Sequence, residues 1–67
     1  MQNLIKSSIV NHDNEAGFLG YSIDYGPSIV DRNHREFYAS FPQARRAYNE
    51  QRAYGNSVAV FYIYDEA

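Results

Sequence analysis

The 67-residue sequence has no cysteine, no tryptophan, one lysine, one methionine and two prolines. Without cysteine there is no disulfide to staple a small fold and no zinc site built on thiolates; the lack fits a reducing compartment. The formal net charge is −2, which sets the chain apart from strongly basic nucleic-acid binders and from acidic mimics of DNA. No apolar run approaches the roughly 20 residues that span a bilayer. The opening MQNLIKSSIV offers only short apolar pairs in place of a signal peptide's continuous core. A soluble, cytoplasmic protein is expected. Gly17–Gly20 (GFLG) does not match a phosphate-binding loop, and no nucleophile elbow is present. The expectation is a protein that is not an enzyme and needs no cofactor or metal.

What is abundant is tyrosine, at seven residues, with four phenylalanines, and arginine supplies five of the six basic side chains. Tyrosine and arginine are the types enriched in protein–protein interfaces, where lysine and glutamate are depleted. The charge is uneven. Asp13, Glu15, Asp24 and Asp31 stand against Lys6 alone in the first half, all five arginines fall between residues 32 and 52, and Asp65 and Glu66 close the chain.

The length predicts a single domain over residues 1–67. A chain this short buries only about 60% of its unfolded surface, so it commonly needs a staple, a second subunit or a partner. Leu4–Val10 is apolar at both ends, and its β-branched residues favour a strand over the helical turn that the spacing also permits. Asn11–Gly17 is dense in turn formers and reads as a hairpin loop. From Phe18 to Gly26 the residues alternate, with Leu19, Tyr21, Ile23 and Tyr25 on one face and Phe18, Gly20, Ser22 and Asp24 on the other. Pro27 stops that strand. A turn is expected at Asp31–Asn33, then a second alternating run with Phe37, Ala39 and Phe41 opposed to Glu36, Tyr38 and Ser40.

A helix follows. Ser40 and Gln43 have capping-box spacing, while Pro42 suits the first turn and restricts Phe41, which favours Phe41 over Ser40 as the extended cap. Gly55 is a natural stop. Ala44, Ala47, Tyr48 and Gln51 form the inner stripe; Arg45, Arg46, Asn49, Glu50 and Arg52 form the outer one. The fold class is therefore α+β: a small antiparallel sheet of three to four strands with one helix packed on one face, in the order β-β-β-α-β.

The last segment, SVAVFYIYDEA, poses the central question. Seven apolar residues run from Val58 to Tyr64, so both faces of this strand want cover. That pattern predicts a central strand with Ala59, Phe61 and Ile63 set towards the helix, an assignment of sides that could be reversed without changing the argument. Val58, Val60, Tyr62 and Tyr64 would then wait for the N-terminal segment, a second copy or a foreign partner.

His12, Asp13 and Glu15 have the chemistry of metal ligands but stand in one turn, with His34 far along the chain; loop solvation is the expected role. The outer arginines Arg45, Arg46 and Arg52, with Arg32 and Arg35 nearby, have the chemistry to grip an acidic surface or phosphates, and Tyr38 or Tyr48 to stack on bases. The partner-binding residues expected are Tyr62, Tyr64, Val60, Tyr38, Arg45, Arg46, Arg52 and Arg35.

In length and composition the chain is similar in style to accessory proteins of phages and mobile elements, several of which inhibit a host enzyme by occupying its surface. The analogy implies a viral protein that antagonises a host defence or nucleic-acid-processing enzyme by protein–protein docking, in the host cytoplasm. Two other roles are a nucleic-acid binder using the arginine helix and a homo-oligomer.

Overall fold

The computed structural model describes residues 9–66. Three strands and one helix follow each other as β1 (Phe18–Gly26), β2 (His34–Tyr38), α1 (Phe41–Ala53) and β3 (Ser57–Tyr64). The sheet is antiparallel in the order β2-β1-β3, with α1 on one face. This is the expected α+β architecture, with the last four expected elements in the expected order. The strand expected over Leu4–Val10 lies mostly outside the described residues; Ile9 and Val10 belong to no regular element.

Among the described residues the long apolar strand is not central. β1 pairs with both neighbours, and β3 sits at an edge. Nor does Ala59–Phe61–Ile63 face the helix. Val58, Val60 and Tyr62 pack against the core of Tyr21, Ile23, Ala44, Ala47, Tyr48 and Ile9. Opposed residues in an antiparallel pair share a face. The register Tyr21↔Tyr62, Ile23↔Val60, Tyr25↔Val58 therefore puts the β-branched and tyrosine set of β3 on the helix side.

The register slips between Phe18 and Gly20. A bulge there adds one residue to β1 and reverses the alternation beyond it. Phe18 thereby joins the core margin and Leu19 is exposed, opposite to the plain period-2 reading.

The turn after β1 also differs from expectation. Ser28 and Asp31 bridge, with the Asp31 N–H donating to the Ser28 carbonyl at 3.0 Å. Ile29 and Val30, both exposed, form the tip in place of Asp31–Asn33. The loop folds back on the end of β1 so tightly that a Cβ on Gly26 would strike the Asp31 carbonyl and lie 2.8 Å from Arg32 Cα.

At the start of α1, Ser40 is the extended cap (φ −121°, ψ 148°) rather than Phe41, and its side chain makes no capping bond. The Phe41 N–H donates instead to both oxygens of the Asp13 carboxylate at 3.0 Å. A carboxylate from 28 residues upstream thus does the work expected of Ser40 and Gln43, and its charge suits the positive end of the helix. At the other end the Gly55 N–H reaches the Arg52 carbonyl and the Asn56 N–H the Gln51 carbonyl, a Schellman ending with Gly55 at φ 90°. The inner stripe Ala44, Ala47 and Tyr48 is buried as predicted.

Candidate functional site

The helix side of the sheet is covered from within. Residues 9–15 lie across the aromatic end. Tyr62 Oη accepts from the Val10 N–H at 3.0 Å, and Tyr21 Oη accepts from the His12 N–H at 2.9 Å while donating to Asp13 at 2.7 Å. The His12 ring stands 4.3 Å from that of Tyr62 and 5.7 Å from that of Phe18. Tyr64 donates a short hydrogen bond to Glu15, and His12 Nδ1 lies 2.7 Å from the other oxygen of that carboxylate. The Tyr64 phenol is pushed up to about 12 chiefly by that bond, and Glu15 is held below its ordinary range by the same contact. These bonds explain why Tyr21, Tyr62 and Tyr64 carry hydroxyls: each satisfies a polar group of Val10–Glu15 over an apolar ring. His12 and Glu15 converge, but Asp13 turns to Tyr21 and α1, and no trio of metal-ligating groups forms among the described residues.

The other side of the sheet has no element across it among the described residues. Its rows follow from the register: Phe37–Ser22–Phe61, then Arg35–Asp24–Ala59, with Gly20–Ile63 on the other flank. Small residues of β1 form the floor and large ones of β2 and β3 the walls. Phe37 is 57% exposed, Phe61 50% and Ile63 36%. Neighbouring strands are about 4.8 Å apart, so Phe37 and Phe61 stand about 10 Å from each other across a shallow trough. Ser22, Arg35, Phe61 and Ile63 line a shallow pocket on its β3 side.

One charge is buried in the floor. Asp24 is 6% exposed. Arg35 grips it through Nε at 3.1 Å and Nη2 at 2.9 Å, and the Ser22 hydroxyl donates at 3.0 Å. The Arg35 guanidinium, and after it the Ser22 hydroxyl, holds the Asp24 carboxyl below its usual range against the opposing effect of burial. Arg35 itself is 73% exposed along its side chain, so it spans from the floor to the open surface.

This pair predicts a pH dependence. A carboxylate whose folded pKa is depressed contributes stability above its unfolded value, here 3.8, and loses it as pH falls through the lower folded value. The urea midpoint of the wild type should therefore fall more steeply below about pH 4 than that of Asp24→Asn. At neutral pH Arg35→Met should cost on the order of 1–2 kcal/mol by stranding the carboxylate, a figure kept low because water screens the exposed guanidinium. Equal acid slopes for wild type and Asp24→Asn would remove this account.

The expected binding residues are distributed rather than gathered. Val60 and Tyr62 are half-buried on the helix side, and Tyr64 is bonded to Glu15 at the edge of the aromatic cluster. Tyr38 donates to Glu36 at 2.5 Å, which pushes its phenol up to about 12. On α1, Arg45 lies over its own Phe41 ring at 5.3 Å and Arg52 over Tyr48 at 5.5 Å. Arg46 lines a groove between α1 and β2 with Tyr38, Gln43, Ala47 and Glu50. Tyr48, expected as a stacking surface, is buried. Only Arg35 reaches the open face. Phe37, Phe61, Ile63 and Asp24, which define that face, were missed as site residues; the signal for them was Ser22 and Asp24 in mid-strand, small and polar between two aromatic flanks.

No helix among the described residues is long and apolar enough to cross a membrane. Compared with known proteins, the chain matches no family model, no curated sequence and no solved structure.

Proposed function

We propose that this chain is a non-enzymatic protein-binding module that docks through the open face of its sheet. The observation that carries the proposal is the aromatic-walled trough of Phe37, Phe61 and Ile63 around the Arg35–Asp24 pair, with no element laid across it among the described residues. Exposed apolar side chains that adjoin one another on a small protein mark an interaction surface more often than scattered ones do. The occupant is a protein segment that presents an apolar ridge to the trough and a carboxylate to Arg35. Two donors of that guanidinium are engaged by Asp24 while the side chain remains largely in solvent, and bidentate arginine favours carboxylate partners. A host defence or nucleic-acid-processing enzyme is the target class to test first, and inhibition by surface occupancy is the mode of action.

The test compares variants. Phe37→Ser with Phe61→Ser should remove at least about 2 kcal/mol of binding, roughly thirtyfold in affinity, because buried aromatic anchors dominate interface energetics. The circular dichroism spectrum should stay folded, since neither ring belongs to the core. Arg45→Ala with Arg46→Ala should leave binding unchanged. If the arginine pair abolishes capture and the phenylalanine pair does not, the surface is α1 and the trough is not the site. Binding of an oligonucleotide that weakens steeply with salt would support the nucleic-acid reading instead.

A further inference from the structure

Two exposed apolar features of this fold are complementary in shape and charge. The first is a knob. The Asp31 N–H donates to the Ser28 carbonyl at 3.0 Å, so Ile29 and Val30 take the two central positions of a turn, where glycine, proline, asparagine and aspartate prevail. At 74% and 94% exposure they are the most exposed large apolar side chains among the described residues. The turn is braced from behind. The Asp31 carbonyl packs over Gly26, and Arg32 Nε donates to Ser57 Oγ at 3.0 Å. A braced knob loses little freedom when it docks.

The second is the shallow pocket on the β3 side of the trough. Phe61 and Ile63 make one flank, both part-exposed, and Ser22 and the largely exposed Arg35 make the rest. An apolar flank beside a guanidinium suits an apolar group followed at once by an acid. Ile29, Val30 and Asp31 are consecutive. The Asp31 side chain is exposed and bonds to no other described residue. The tip does not enter the trough of its own chain, since Ile29 and Val30 stay exposed.

We propose that the β1–β2 hairpin tip of one copy docks in the trough of the next. Ile29 and Val30 lie against Phe61 and Ile63, and Asp31 pairs with Arg35. Arg35 gives Asp24 its Nε and Nη2 donors, which leaves Nη1 for the incoming carboxylate. Tip and trough are different surfaces, so the contact is heterologous. Each copy offers one of each, and association runs from copy to copy until a ring closes. One contact thus covers both exposed apolar features and uses neither edge of the sheet.

The inference rests on the trough being a docking surface and names its occupant in the purified chain. Sedimentation equilibrium over about 1–500 µM should show the mass rise from 7.7 kDa past twice that value. Ile29→Ser with Val30→Ser removes the knob, and Phe61→Ser with Ile63→Ser removes the apolar flank. Each pair should weaken association at least about thirtyfold, and Asp31→Lys alone about tenfold. None of these side chains belongs to the core, and circular dichroism checks that each variant stays folded. An equimolar mixture of the two pair variants should stop at the dimer, because it holds one intact knob for each intact trough. A monomer at every concentration overturns the inference and leaves the trough to a foreign protein, which the capture assay above reads separately. Association that the tip variants leave unchanged, or a mixture that forms no dimer, overturns it as well.

Discussion

Tyr21→Ala is expected to leave the chain without a cooperative unfolding transition at room temperature. Tyr21 is fully buried, and its ring lies 4.8 Å from Phe18, 5.8 Å from Tyr62 and 6.1 Å from Phe41. It therefore joins β1, β3 and the first turn of α1. Truncating a large buried aromatic costs about 3–5 kcal/mol, and a domain of this size has about 5 kcal/mol in total. The hydroxyl is a separate contribution. It accepts from the His12 N–H and donates to Asp13, which holds the Phe41 N–H. Tyr21→Phe should thus cost about 1–2 kcal/mol while leaving the transition cooperative. Urea titrations followed by circular dichroism separate the two variants. A Tyr21→Ala protein with a near-native midpoint would show that the aromatic cluster is not the centre of stability.

Gly26→Ala is the second large expectation. One methyl group on a nearly isosteric residue is normally tolerated, and in a strand alanine is even preferred to glycine. Here the added carbon would occupy the space of the Asp31 carbonyl and crowd the Arg32 backbone. The obstacle is main chain, which cannot rotate away as a side chain does. Relief requires the Ser28–Asp31 turn to lift off the end of β1, and with it Arg32 from Ser57. A loss of about 3 kcal/mol is expected. Hydrogen exchange should locate the damage in the β1–β2 hairpin, with the Asp31 amide exchanging faster. If Gly26→Ala unfolds at the wild-type midpoint, the loop does not sit against β1 as described.

Several elements were legible in the sequence because their signals are local. The Phe18–Gly26 alternation, the small inner stripe of α1 and the glycine stop at Gly55 each arise from contacts within a few residues. The cap was misplaced for the opposite reason. Nothing near Ser40 reveals that Asp13, 28 residues earlier, takes the Phe41 N–H. The Phe18–Gly20 slip is equally hidden, since a bulge is a property of two strands and only one was being read.

The candidate site was legible only in part. The sequence showed that one face of Val58–Tyr64 would lack cover, because one helix covers one face of one small sheet. Period-2 spacing sorts side chains into two sets without stating which set is inward, and the fold sets Val58, Val60 and Tyr62 inward. Arg35 was named for its charge. Phe37 and Phe61 were not chosen for the site, because their partnership exists only across β1.

The chain alone determined its class: a single helix with a small-residue stripe, strands too few and too short to enclose themselves, and no disulfide to compensate. Tertiary structure decided that β1 is central although Ser22 and Asp24 lie on it, and that β3 is an edge although it is apolar on both sides. The physical reason is lateral. Ser22 lies between Phe37 and Phe61, and Asp24 is held by Arg35 from the neighbouring strand, so burial there is set by neighbours that pairing supplies, and pairing is not written in any one strand.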